Sequence, residues 1–351
     1  MGDVKSRHLT QSIFCNIKAS RRAGLENLLE CLLMQVRISV LKYFLDCSFF
    51  VLFRIRMAQR TFGGPHTSAK LDKLEQYLHA FTTALKKQPF RLIYFDAFAG
   101  TGDIPQGDVG ASIFDADDYR PLIAGSADRA LRISTPFDEY VLVEKSRDKA
   151  DKLEELRSRF PALADRTTII CGDANAELRR FCRCRNWQEC RAIVFLDPFG
   201  NQVAWETIVA IAQTEAIDLW YLFPAGLGVH RQIGRDGTVD DTHTASLDRL
   251  FGAPDWREAF IEERFEPDLF AQGRSVSTKS ATPESITRFM IARMKEVFRG
   301  GVLDEWLPLG SRNIHMYSLL FAWANPSPKA AALATRLAAA VLRSTTRGRR
   351  K

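Results

Sequence analysis

The chain has 351 residues and 39.7 kDa, with 46% hydrophobic and 26% charged residues, 21 Gly and 14 Pro. These values exclude a stapled mini-protein, a collagen-like repeat and a wholly disordered chain, and they leave room for one large α/β core. The net charge of +7 is unevenly placed: residues 1–61 carry +6 and residues 343–351 carry +5, so the body between them is mildly acidic at −4 and any pull on nucleic acid comes from the ends.

Residues 1–61 read as an N-terminal extension. Leu25, Leu28, Leu29, Leu32 and Leu33 have helical spacing, but Ile38 to Ile55 is apolar on nearly every side. Two readings stay open, a helical appendage or upstream sequence before a start at Met57. The run Ile38 to Phe53 has only 16 residues and contains Lys42 and Asp46, short of the roughly 20 apolar residues of a spanning helix. Seven scattered cysteines, an odd count, fit a reducing cytoplasm.

Residues 62–342 read as a single domain. Phe62-Gly63-Gly64-Pro65 is a loop, and Thr67 or Ser68 is placed to cap a helix with Leu71, Leu74, Leu78, Phe81 and Leu85 on one face. Phe62-Gly63-Gly64-Pro65-His66-Thr67 and Lys70 are also placed to fold over a ligand as a lid. Strands are expected at Phe90 to Phe95, Tyr140 to Val143, Thr167 to Cys171, Ala192 to Leu196 and Asp218 to Phe223. Helices are expected at Ala124 to Ile133, Arg147 to Phe160, Ala176 to Arg185 and Trp205 to Gln213. Such alternation predicts a doubly wound, mostly parallel α/β sheet. Residues 224–280 break the pattern and read as an insertion or lid containing Phe251, Trp256, Phe260, Phe265 and Phe270. Trp220, Tyr221, Phe223, His230, Arg231 and Arg235 are candidates to line a substrate cleft. A helix at Pro283 to Phe298, a strand at Met316 to Ala324 and a helix at Lys329 to Leu342 close the domain before the basic tail 343–351.

Four expected strands end in acids. The first delivers Asp96 and then Ala97-Phe98-Ala99-Gly100-Thr101-Gly102, a loop whose glycines let backbone approach a ligand. Glu144 ends the second and is placed to accept ribose hydroxyls. Asp173, with Gly172 and Ala174, ends the third and is placed to take an adenine amino group. Asp197-Pro198-Phe199-Gly200 ends the fourth. The third glycine of a dinucleotide fingerprint is missing, which disfavours a pyrophosphate seat and a nicotinamide oxidoreductase. An acid ahead of the glycines suits a cofactor with a cationic amine, as in S-adenosylmethionine. Cys182, Cys184 and Cys190 have C-x-C-x5-C spacing on a basic helix and the turn after it, and they read as reduced thiols rather than metal ligands.

FDAFAGTG, VEK, CGDAN and FLDPFGNQVAWET resemble the three-Cys-motif partner protein family (TcmP), in a match running from Phe62 to the helix after NPSPKA, about 280 of 351 residues. The resemblance implies a class I S-adenosylmethionine-dependent methyltransferase fold. It also implies a partner protein with three clustered cysteines. Asp96, Phe98, Ala99, Gly100, Thr101, Gly102, Glu144, Asp173 and Ala174 would then bind the cofactor. Asp197-Pro198-Phe199 looks like the [DN]-P-P-[YFW] signature of amino-methyltransferases, with a nucleobase as the acceptor class and Asp197 orienting the amine. The second proline is absent and the aromatic residue sits one position early. From Gly102 to Glu144 the chain takes 42 residues rather than roughly 20, so 103–123 form an extra loop made acidic by Asp115, Asp117 and Asp118. The alternative reading is a non-catalytic cofactor-binding scaffold for the three-cysteine protein.

Overall fold

The computed structural model describes residues 66–100, 125–266, 274–311 and 314–344. Expectations for residues 1–61, for Phe62 to Pro65, for the loop 103–123, for Phe270 and for the end of the basic tail lie outside those residues.

In chain order the core elements are α1 (His66–Leu85), β1 (Arg91–Asp96), α2 (Ser126–Arg132), β2 (Glu139–Glu144), α3 (Arg147–Ser158), β3 (Thr167–Cys171), α4 (Ala174–Cys184), β4 (Cys190–Leu196), α5 (Trp205–Gln213) and β5 (Ile217–Phe223). A π-helical turn (Ala225–His230), α6 (Asp241–Phe251), α7 (Trp256–Phe260) and the hairpin β6 (Ile261–Glu266) and β7 (Arg274–Lys279) follow. The chain closes with α8 (Pro283–Val297), β8 (Gly301–Val302), β9 (Leu307–Ser311), β10 (Ile314–Trp323) and α9 (Pro328–Arg343).

The main sheet runs β3-β2-β1-β4-β5-β10-β8, with β9 also on β10. Strands β1 to β5 pair in parallel, and β10 is antiparallel to β5, β8 and β9. The first five positions follow the Rossmann order, and the sixth is taken by an antiparallel strand. The doubly wound, mostly parallel α/β architecture expected from the alternation is present.

Strand periodicity sorts the side chains onto two faces. Leu92 and Tyr94 of β1, Tyr140 and Leu142 of β2, and Ile193 and Phe195 of β4 pack with α1, α2, α3 and α9. Ile93 and Phe95, Val141 and Val143, and Ala192, Val194 and Leu196 pack with α4, α5, α6, α7 and α8. Phe251, Trp256 and Phe260 belong to this second core; Phe289 stands edge-on to Phe251 and Phe260, with ring centroids 5.2 and 5.0 Å away. Phe265 on β6 is exposed.

Helix α1 begins at His66, ahead of the expected caps, and buries Leu71, Leu74, Tyr77, Leu78 and Phe81. It also buries Lys73, whose Nζ donates to the carbonyls of Val341, Leu342 and Ser344 at 2.7, 3.1 and 2.8 Å. A buried ammonium is tolerated there because the last carbonyls of α9 lack intrahelical partners and carry the negative end of the helix dipole. No helix among the described residues is long and apolar enough to cross a membrane.

Candidate functional site

Doubly wound sheets bind ligands at the carboxyl ends of their parallel strands, and Asp96, Glu144 and Asp197 stand at three neighbouring strand ends. In register, Asp96 pairs with Leu142 of β2 and Phe195 of β4. Glu144 and Asp197 each lie two residues farther along the flanking chains. The result is a notch over the end of β1, with Asp96 at its floor, Glu144 as the last residue of β2 and Asp197 as the residue after β4, on chains about 4.8 Å to either side.

The floor is closely built. Asp96 is fully buried; it accepts from the Tyr94 hydroxyl at 3.1 Å, the Phe98 N–H at 3.2 Å and the Ser126 hydroxyl. Burial pushes its carboxyl up to about 7, and the nearby charge of Asp197 pushes the same way against those three donors. Tyr94 is also raised, by burial first and then by Asp96. A cation above the notch would relieve both.

The loop after β1 crosses the notch. Ala97 N–H donates to Phe195 O of β4 at 3.1 Å, and Ala99 N–H donates to Val143 O of β2 at 2.9 Å. A cavity of about 590 Å³ opens beside Ala99 and Gly100 between α2 and α3, within the usual range for a small-ligand site. Lys152 and Arg132 also line it, whereas Asp96, Glu144, Asp173 and Asp197 all stand outside its wall. Thr101 and Gly102 lie outside the described residues.

The remaining expected residues differ in setting. Glu144 is half-buried, and its Oε1 accepts from Ser146 N–H at 2.8 Å. Asp173 is exposed and caps α4, accepting from Ala176 N–H at 3.0 Å, with Ala174 the first residue of that helix. Asp197 and Pro198 are buried, but the Phe199 ring is 48% exposed beside Gly200, whose φ is +67°. Trp220, Tyr221 and Phe223 are fully buried and therefore belong to the core rather than to a cleft; their positions on a central strand account for this. His230 is half-buried, and Arg231 and Arg235 are exposed. Cys182 and Cys190 are buried and Cys184 is exposed.

Two asparagines that the sequence reading passed over hold the loop after β4. Asn175 donates to Gln202 O at 2.8 Å and accepts from Ala204 N–H and the Thr207 hydroxyl, each at 2.9 Å. Asn201 is buried, donates to Gln232 Oε1 at 2.9 Å, and has its own carbonyl held by Arg249 Nη2 at 2.9 Å. Asn175 sits inside the CGDAN motif, a signal that was available. Asn201 depends on partners 31 and 48 positions away, which no local pattern reveals.

No protein-family model matches the chain, and no curated protein does. Among solved structures, the chain is similar to magnesium protoporphyrin IX methyltransferase from Synechocystis with bound S-adenosylmethionine, at 12% identity, TM-score 0.26, and coverage of 61% of this chain and 81% of that one. It is also similar to spermidine synthase from Thermotoga maritima, at 11% identity, TM-score 0.32, and coverage of 73% of this chain and 57% of that one.

Proposed function

We propose that this protein is an S-adenosylmethionine-dependent methyltransferase of the three-Cys-motif partner type. Its acceptor is an amino group, most simply on a nucleobase, and a three-cysteine protein works beside it. The observation that carries the reading is the notch of Asp96, Glu144 and Asp197 at three adjacent strand ends.

The donor set suits this cofactor. Asp96 is buried next to a second carboxylate, and a cationic ligand is the species that stabilises its ionised form. Glu144 has a second carboxylate oxygen for vicinal hydroxyls, and Asp173 has one for an exocyclic amine. The backbone at Ala99 and Gly100 allows close approach. Bound there, S-adenosylmethionine supplies an electrophilic methyl group on a sulfonium.

The chain's own contribution is mainly positioning. Asp197 accepts a hydrogen bond from the acceptor amine and so aims its lone pair at the methyl carbon, while Phe199 offers an exposed face on which a base stacks. With the amine so held, in-line transfer would need no covalent enzyme intermediate, and the amine proton would leave from Asp197's side to solvent. The body charge of −4 gives little attraction for phosphates. The basic ends or the partner supply that attraction.

Calorimetry with S-adenosylmethionine separates the roles. Asp96→Ala is expected to abolish measurable binding, and unchanged affinity would remove the cofactor assignment. Radiolabelled cofactor incubated with total RNA and with genomic DNA, with and without the three-cysteine protein, tests transfer. Asp197→Ala should stop labelling while leaving cofactor affinity within about twofold. Cofactor binding with no labelling by wild type in any combination would favour the scaffold alternative.

A further inference from the structure

The segment Asp197 to Ala204 is anchored on both legs and open at its tip. One leg leaves β4 at Leu196, and the other is tied to Asn175 through Gln202, Ala204 and Thr207. At the tip, a Cβ added to Gly200 would meet nothing within 4 Å, and the Phe199 ring is 48% exposed. Between tip and anchored leg sits Asn201, only 7% exposed, and Gln232 and Arg249, which bond its side chain and its carbonyl, both come from the region after β5.

The arrangement there is tight. The Asn201 Oδ1 is buried without a hydrogen-bond partner, and it lies 2.1 Å from where a Cβ on Gly228 would stand. The Pro224 Cβ and Cγ lie 3.0 Å from that same point. Gly228 belongs to the π-helical turn, and Gly226 of that turn presses on β10, where an added Cβ would come within 2.0 Å of His315 O. Only glycine at 228 lets the Asn201 amide occupy this place. An unpaired buried carbonyl is costly, and an apolar side chain of similar size would avoid that cost. A buried acceptor kept without a partner points to a side chain held for placement.

We propose that Asn201 is a positioning residue. Locked by Gly228, Gln232 and Arg249, it sets the height and angle at which Asp197 and Phe199 face the methyl acceptor. The inference rests on the transferase reading for its functional consequence, while its structural part, an acceptor loop held by the chain after β5, stands separately. Asn201 acts through its neighbours and touches no reacting atom.

The test is a double-mutant cycle of Asn201→Ala and Gly228→Ala, with Gln232→Met as a gentler third variant on a half-buried residue. Three readouts apply to the full chain: amide hydrogen exchange at residues 199–202, calorimetric affinity for S-adenosylhomocysteine, and transfer of labelled methyl to total RNA. Each single variant is expected to speed exchange at 199–202 by about tenfold and to lower kcat by a similar factor with cofactor affinity within twofold. In the double variant the methyl group introduced by Gly228→Ala takes the space vacated by the Asn201 amide. The bond to Gln232 stays lost, so exchange and kcat should match those of Asn201→Ala alone rather than fall by the product of the singles. Wild-type exchange at 199–202 in both Asn201→Ala and Gln232→Met would overturn the proposal, as would a double variant equal to that product. If wild type transfers no methyl to any acceptor, the transferase reading fails by itself, and the exchange cycle still decides whether Asn201 holds the loop.

Discussion

Two aspartates, one fully buried and one half-buried, invite comparison. Asp96 at the end of β1 and Asp218 near the start of β5 are both pushed up to about 7, in each case chiefly by burial, and each accepts a hydrogen bond from a tyrosine hydroxyl. Their company differs. Asp218 receives Tyr77 from α1 at 2.7 Å and has Arg191 nearby to lower it, and the Tyr77 ring packs against Trp220 and Phe321 at 5.2 and 5.0 Å. That cluster fastens α1 to the amino half of the sheet. Asp96 is bonded within its own strand and to the loop and helix that follow it, and its charged neighbour is another carboxylate, Asp197. A shifted carboxyl therefore does not mark a site by itself. A like-charged neighbour at the carboxyl edge of the sheet separates Asp96 from the Asp218 pair.

The comparison breaks most sharply under a matched pair of isosteric substitutions. Asp96→Asn removes the anion under the cofactor, and the loss of a charge-assisted contact of about 1.5–3 kcal/mol corresponds to about a 10- to 100-fold weaker S-adenosylmethionine affinity. Asp218→Asn should leave that affinity within about twofold. Equal losses in calorimetry would mean that both aspartates act through stability alone and would dissolve the distinction.

The pH dependence sharpens it. An aspartate that titrates near 3.9 when unfolded and about 7 when folded favours the folded state while protonated, so its contribution is full below about pH 4 and is lost as pH rises through about 7. Both aspartates contribute with this sign. Urea denaturation between pH 4 and 8 should show stability declining across that window, and Asp96→Asn and Asp218→Asn should each make the decline shallower. Binding of a cationic cofactor runs the other way, because it prefers ionised Asp96. Affinity should rise by up to about tenfold per pH unit below 7 and level off above it. Only Asp96→Asn should flatten that binding profile.

Much of this was legible because it is periodic. Ala192 to Leu196 and Leu219 to Phe223 are short apolar runs between helical segments, and a fully buried parallel strand has that pattern. The positions of Asp96, Glu144 and Asp197 at neighbouring strand ends were legible for the same reason, since the alternating elements fix where each strand stops. The hairpin β6–β7 was missed because IEERFE and RSVSTK alternate without an apolar face. Strand β9 was not expected, and it contains Pro308 and Gly310, residues that weaken a strand pattern. Asp173 shows a local signal with two meanings, an acid at a strand end and an N-cap before a helix, and its capping bond to Ala176 is the one the structure forms. Asp218 was hidden inside an apolar strand, and its partner Tyr77 lies 141 positions upstream.

The smallest expected effects come from the tyrosines, and they sort the two aspartates once more. Tyr77→Phe deletes the hydroxyl that spans from α1 to Asp218, leaving that half-buried carboxyl with Arg191 as its remaining favourable neighbour. The cost should be about 1 kcal/mol at pH 5, where Asp218 is protonated, and about 1.5–3 kcal/mol at pH 8, where the lost donor served a charge. Tyr94→Phe removes a longer bond of 3.1 Å, and Asp96 keeps the Ser126 hydroxyl and the Phe98 N–H. Its stability loss should stay at or below about 1 kcal/mol at either pH. Because Tyr94 helps hold Asp96 in its ionised form, the variant should instead move the midpoint of cofactor binding to higher pH. Chemical denaturation at the two pH values, read beside calorimetry, distinguishes a helix fastening from a ligand floor: the first loses stability with its hydroxyl, the second loses binding near neutrality.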